Sequence, residues 1–479
     1  MKYLSPLDAA FLRMESTRTP MHVGALMTFR LPENAPRDFL RHLLAQMRTE
    51  PFMPPPFGCK LAHNRLRRIA PAWEDVEVDM DYHIRHSALP YPGGERELGQ
   101  LVARLHSHPM DFDRPLWECH LIEGLEASTG PRGDEAPRGG RFGFYFKAHH
   151  CCIDGMGAVR MVKGWLAETP DDHSAPGLRL VKPEPPAVEK KNRTAGSRLK
   201  KSVAFAGGQL RGLQGLVKTL RKMSQQGPGE GTRAAMATPR SLFNVPITAQ
   251  RRLGTQLLDL ARVKAVGAIT GTTVNDVSLA IIGGAVRRYL LEQDQLPAKT
   301  LMASVPVALA RPEGKGGNAV AGFVCPLLTD QADPVKRLER ISEVTTRSKD
   351  QLMEMSPTAL EQFALLGISP LLLGQMTGVL PRLPPFFNFV VSNVVLSKKP
   401  LYLLGAQLEA MYPVSFLFDG YALNITLVGY MDRIAVGILG CRDSVPRLQR
   451  LAVYTGEALT ELEEAVAKAP AKKVRKSKP

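Results

Sequence analysis

Residues 182–201 read KPEPPAVEKKNRTAGSRLKK, and neither a helix nor a strand runs comfortably through them. Proline removes backbone donors, and the charged and small residues around it offer little to bury, so the stretch reads as a linker. It divides a chain of 479 residues, longer than one ordinary core accommodates. Both sides carry the same mixed pattern. Before the linker, MHVGALMTFRL and RFGFYFKAHH read as strands and APRDFLRHLLAQMRTE as a helix. After it, QLLDLARVKAVGAITG and NDVSLAIIGGAVRRYLLEQDQ read as helices, while NFVVSNVVL and ALNITLVGYMDRIAVGILG read as strands. The expected organisation is α/β, with a first lobe over 1–185, a basic crossover over 186–242, a second lobe over 243–465 and a basic tail over 466–479.

The net charge of +16 calls for an acidic partner, and much of it sits in residues 189–240 and in the tail KKVRKSKP. No nucleic-acid module accompanies it, and aromatic residues are not interleaved with the basic ones, which argues against nucleic acid. Within residues 197–223, Val203, Leu210, Leu213, Val217 and Leu220 recur at helical spacing beside Lys200, Lys201, Arg211, Lys218, Arg221 and Lys222. A basic amphipathic helix of this kind suits an anionic membrane face or packing on its own protein. The apolar run from Gln362 to Ser397 has one charge, Arg382, but its prolines and glycines favour a buried helix pair or a tunnel wall over a spanning helix. Part of such a wall is expected between Leu352 and Leu380. Six scattered cysteines and an N-terminus without a secretory pattern point to a reduced, cytoplasmic protein.

The densest chemistry lies in FYFKAHHCCIDGMGAV, residues 144–159. Neighbours on a strand point to opposite faces, so His149 and His150 do not converge on one metal, nor do Cys151 and Cys152. No second His/Cys cluster completes a tetrahedron, and buried cysteine is commonly a small hydrophobe. There remains a single general base. Alternation puts Phe142, Phe144, Phe146, Ala148 and His150 on one face, with Gly143, Tyr145, Lys147 and His149 on the other. A histidine fixed at the end of a strand is suited to taking a proton from an alcohol. Gly155 and Gly157 permit a tight turn, and Asp154 either orients the imidazole or ties the turn together.

His149, His150, Asp154 and Gly155 fit the HHxxxDG signature of the CoA-dependent acyltransferase superfamily. LSPLDAAFL, PMHVGAL, DFDRPLWECHLIEGL, NDV at 275–277, GN at 317–318, SNV at 392–394 and ALNIT at 422–426 follow the order of one branch. Together they resemble the bacterial wax ester synthase/acyl-CoA:diacylglycerol acyltransferase family from about residue 4 to residue 465.

The resemblance implies two similar chloramphenicol-acetyltransferase-like lobes with a tunnel between them. It implies transfer of a fatty acyl group from long-chain acyl-CoA to a fatty alcohol or diacylglycerol, directly within a ternary complex. His150 is the implied base, His149 and Asp154 are largely structural, and no metal or prosthetic group is expected beyond the acyl-CoA co-substrate. Asn275 and Asp276 face the active centre or serve the helix start. Ser392 and Asn393 donate near the oxyanion or form a turn. Peripheral contact with the inner membrane face or lipid inclusions is the implied location. Two departures stand out: Val395, Leu396 and Ser397 replace the Pro-Gly-Pro that usually follows SNV, and Arg311 falls one residue late. A carrier-protein-dependent acyltransferase and a non-catalytic lipid binder on the same fold are the alternatives.

Overall fold

A computed structural model of the chain describes residues 2–49, 56–63, 70–126, 140–172, 238–308, 320–354 and 369–468. The amphipathic stretch 197–223, Arg311, Gly317, Asn318, most of the linker, residues 355–368 of the expected tunnel wall and nearly all of the tail lie outside them. The first half runs β1 (Lys2–Tyr3), α1 (Pro6–Met14), β2 (His22–Arg30), α2 (Phe39–Thr49), β3 (Cys59–Leu61), β4 (Ala72–Asp75), α3 (Met80–His83), β5 (Ile84–Ala88), α4 (Glu95–Ser107), β6 (Trp117–Leu125), β7 (Arg141–His149) and α5 (Gly155–Trp165). The second runs β8 (Arg251–Asp259), α6 (Leu260–Thr270), α7 (Val274–Glu292), β9 (Met302–Ala308), β10 (Val320–Pro326) and α8 (Pro334–Glu354). It ends with β11 (Phe389–Ser397), β12 (Tyr402–Leu403), β13 (Ala406–Val414), β14 (Leu423–Tyr430), β15 (Arg433–Cys441) and α9 (Leu448–Lys468), and residues 369–377 are also helical.

Among the described residues, two six-stranded sheets form, in the orders β12-β13-β2-β7-β6-β5 and β10-β9-β11-β14-β15-β8. The first sheet is not made by the first half alone. β13 pairs antiparallel with β2, placing Tyr412 opposite Leu26 and Val414 opposite Gly24. Residues 402–414, within the expected second lobe, thus supply strands to the first sheet. Crossing over gives β2 a partner on its second edge, which would otherwise present open donors and acceptors. The crossing needs room. A Cβ on Gly437 of β15 would lie 1.9 Å from the carbonyl oxygen of Pro413, so only glycine lets β13 pass so close.

Two other sequence expectations shift. QLLD continues β8, and the helix begins at Leu260, where Asp259 accepts hydrogen bonds from the amides of Ala261 and Arg262. β11 runs straight through Ser392 and Asn393 to Ser397, with a register irregularity between Val395 and Ser397, so SNV is mid-strand and not a turn.

Among the described residues, three apolar clusters hold the layers. One joins α7 and α9 to β14 and β15, and reaches Leu98, Val102 and Tyr145 of the first half. A second packs Phe142, Phe144 and Phe146 of β7 against Val159, Val162 and Trp165 of α5. The third draws on both halves: Phe11, Met14, Met21, Leu116 and Cys151 with Met302, Leu371, Leu380 and Phe418. Among the described residues, no single helix is long and apolar enough to cross a membrane.

Candidate active site

The N-terminal SPLDAAFLRME builds one wall of the site. Ser5 caps α1 by accepting from the amide of Asp8 at 3.1 Å, and its hydroxyl donates to Asp8 Oδ2 at 2.6 Å. Pro6 occupies the first turn, where its missing N–H costs nothing. Phe11 and Glu15 stand four residues apart, a spacing that puts both on one side of the helix end.

Across from them, β7 ends at His149 and the chain turns. His149 is wholly buried, and its Nδ1 accepts from the amide of Cys151 at 3.1 Å. The ring proton is therefore on Nε2, directed at Glu15 Oε2, 2.9 Å away. The same carboxylate oxygen accepts from the amide of Met21 at 2.7 Å. His149 is thus clamped between a backbone donor and a buried carboxylate.

His150 has left the strand. Its amide donates to the carbonyl of Met21 at 2.8 Å. Its ring stacks on Phe11 at 4.1 Å between centroids, with a 17° tilt, and meets Phe416 edge-on at 5.2 Å. The strict alternation expected from the sequence would have put it with Phe146 and Ala148; the turn instead delivers it to the third cluster. Nδ1 is buried without a hydrogen-bond partner among the described residues, which leaves Nε2 as the nitrogen open to a reactant. Burial and the neighbouring His149 pull its pKa down to about 4, against weaker upward pulls from its own backbone and Asp154. The imidazole is therefore neutral at physiological pH.

Asp154 caps α5: its Oδ1 accepts from the amide of Gly157 at 2.6 Å, and its carbonyl accepts from Ala158 at 2.8 Å. A Cβ on Gly155 would meet nothing within 4 Å, so space lies open beside the first turn of α5. Asp276 is nearly fully buried and tied up elsewhere. It accepts from the amide and hydroxyl of Thr273 at 2.9 and 2.7 Å, and from Thr345 of α8 at 2.5 Å, completing a capping box and pinning α8. Asn275 beside it is half-buried. Ser392 and Asn393 part company on β11. Ser392 shares a face with Val390 and Val394, which pack on the third and second clusters, whereas Asn393 is exposed. The structure thus brings His149 and His150 together with Phe11, Glu15 and Phe416, and gives Asp154 and Asp276 helix-capping positions. Among the described residues no group of three or more His, Cys, Asp or Glu side chains is arranged to hold a metal.

Residues 4–278 match the sequence model of the wax ester synthase/diacylglycerol acyltransferase catalytic domain, and residues 316–463 match that of the WS/DGAT C-terminal domain. The chain belongs to this family. It is an acyltransferase with the two-lobed α/β fold of that group. It is similar to a putative diacylglycerol O-acyltransferase of Mycobacterium tuberculosis, at 48% identity over 97% of this chain and 99% of the relative. It is also similar to an O-acyltransferase WSD of Acinetobacter baylyi, at 34% identity over 98% of each chain. Among solved structures, the wax ester synthase/diacylglycerol acyltransferase from Marinobacter aquaeolei VT8 superposes with a TM-score of 0.77 at 36% identity, covering 98% of this chain and 100% of that one.

Around the two histidines the acyltransferase packs residues that the motif pattern did not single out. Phe11 and Glu15 had a signal, since they lie in or beside the quoted SPLDAAFL motif at helical spacing. Phe416 had none, because it arrives on a distant loop. A buried polar chain fixes that loop. His106 Nε2 donates to the carbonyl of Ser415 at 2.7 Å, and its Nδ1 accepts from the Tyr145 hydroxyl at 2.7 Å. Burial and the charge of Lys147 hold His106 at about pKa 3, against the pull of the Ser415 carbonyl, so it too stays neutral.

Proposed function

We propose that the enzyme moves a long-chain acyl group from acyl-CoA to the hydroxyl of a long-chain alcohol or diacylglycerol, with His150 as general base. The observation that carries this reading is a neutral imidazole sandwiched between Phe11 and Phe416 in an apolar cluster drawn from both halves of the chain. His150 Nε2 takes the hydroxyl proton as the oxygen attacks the thioester carbonyl. The tetrahedral intermediate collapses, the C–S bond breaks, and the proton passes to the departing CoA sulfur. Nothing is held covalently, and the step needs no metal or prosthetic group. His149, locked by Glu15, and Asp154, capping α5, set the position of the turn that bears the base. Of the two pairs, the half-buried Ser392 and Asn275 are the members we favour for assisting His150. Such a base supplies roughly 100- to 10,000-fold, and apolar positioning supplies much of the remainder.

The net charge of +16 supports peripheral attachment to an anionic membrane face or a lipid inclusion, within the cytoplasm. The test is release of free CoA by purified protein given palmitoyl-CoA with hexadecanol or with diacylglycerol. Release that depends on the acceptor is expected. Acyl groups bound covalently to the protein without acceptor would contradict direct transfer.

A further inference from the structure

The turn that carries the histidines also carries two thiols that acyl transfer leaves idle. Cys151 Sγ and Cys152 Sγ lie 3.9 Å apart, and both cysteines are free. Successive residues of an extended chain send side chains to opposite faces, but the turn after His149 brings both thiols to one side. Cys151 is buried in the cluster of Phe11, Met14, Met21 and Leu116. Cys152 is part-exposed and packs against the second and third clusters together. Two sulfurs supply half of what a tetrahedral zinc needs.

The surroundings select the chemistry that could use such a pair. Burial, reinforced by Cys152 alongside, pushes the Cys151 thiol well above its ordinary range. An electrophile that needs a single thiolate finds little of one there. A reagent that condenses with two neutral thiols and leaves no charge behind suits an apolar wall.

We propose that Cys151 and Cys152 form a two-thiol binding site for trivalent arsenicals of the arsonous class, R–As(OH)2, and that its occupation stops acyl transfer. Two S–H bonds and two As–O bonds break, two As–S bonds form, and two waters leave, with no change of oxidation state. The second As–S bond closes within one molecule at high effective concentration, an advantage no isolated cysteine offers. Bridging fixes two sulfurs that now merely touch, and the backbone between them holds His149. The amide of Cys151 donates to His149 Nδ1 at 3.1 Å, and that of Cys152 donates to the His149 carbonyl at 2.8 Å. Shifting this backbone displaces the clamp on His149 and, with it, His150. The loss of activity rests on the function proposed above; the binding does not.

The experiment treats the full-length protein with phenylarsine oxide, which hydrates to an arsonous acid. Intact mass, free-thiol count and acceptor-dependent CoA release are followed together. One phenylarsenic bridge per chain is expected, with two thiols lost from the peptide bearing Cys151 and Cys152. Release should fall about tenfold or more, return with dithiothreitol, and not return with the same concentration of a monothiol. Cys152→Ala, each rate taken relative to the same protein untreated, should resist the reagent. Labelling at Cys59 or another cysteine, equal sensitivity of Cys152→Ala, or reversal by the monothiol would overturn the site. A bridged protein with full activity would overturn its coupling to transfer. If untreated protein releases no CoA, the functional reading fails, while mass and thiol count still decide the site.

Discussion

Glu15 holds two buried donors at once, the Nε2–H of His149 and the amide of Met21. Met21 in turn accepts from the amide of His150, so one carboxylate steadies both histidines. Glu15→Ala strands both donors in a buried place. Each stranded group costs about 1 to 3 kcal/mol, so a stability loss of about 2 to 6 kcal/mol is expected in urea unfolding. Kinetically, kcat should fall while KM for acyl-CoA stays close to the wild-type value, because the carboxylate positions the turn and does not touch the substrate. The sequence showed the two histidines plainly, since HHxxxDG is local. The clamp was hidden because Glu15 and His149 meet only in the folded chain.

At the scale of elements, caps and crossings decide. Asp154 starts α5 through one hydrogen bond to Gly157. Asp154→Asn keeps an acceptor and should behave like the wild type in thermal unfolding, whereas Asp154→Ala should lose about 0.5 to 2 kcal/mol. If Asp154→Asn unfolds normally yet loses activity as Asp154→Ala does, the carboxylate acts on chemistry and not only on the helix. Gly437→Ala would drive a methyl into the Pro413 carbonyl, which cannot swing aside as a side-chain tip could. A loss of about 1 to 3 kcal/mol or more is expected, checked by chemical denaturation. These elements were unequally legible. β7, α7 and the β14–β15 hairpin follow from period and turn residues. The start of α6 did not, because QLLDLARVKAV has no break where strand becomes helix. β13 was invisible as a first-sheet strand, since its pairing with β2 spans nearly 400 residues of chain and leaves no local period.

Across the whole molecule, buried histidines link fold to pH. Burial lowers the pKa of His22, His83, His106, His120 and His150, to about 3 for His106 and about 4 for His150. In the unfolded chain they titrate near 6.5, so between that value and the folded ones the unfolded state binds more protons. Stability is therefore intact above about pH 6.5 and falls as pH drops below it, each group contributing up to about 1.4 kcal/mol per pH unit. Urea midpoints taken from pH 7.5 to pH 5 should decline steeply; a flat profile would mean that these rings are hydrated in the native state.

The account turns on His150, so the deciding measurement is the rate of acceptor-dependent CoA release by His150→Ala beside wild type. The variant should show native far-UV dichroism and a rate reduced by roughly 100- to 10,000-fold. A folded His150→Ala protein that transfers acyl groups at close to the wild-type rate would contradict the assignment of the base and leave the family membership untouched.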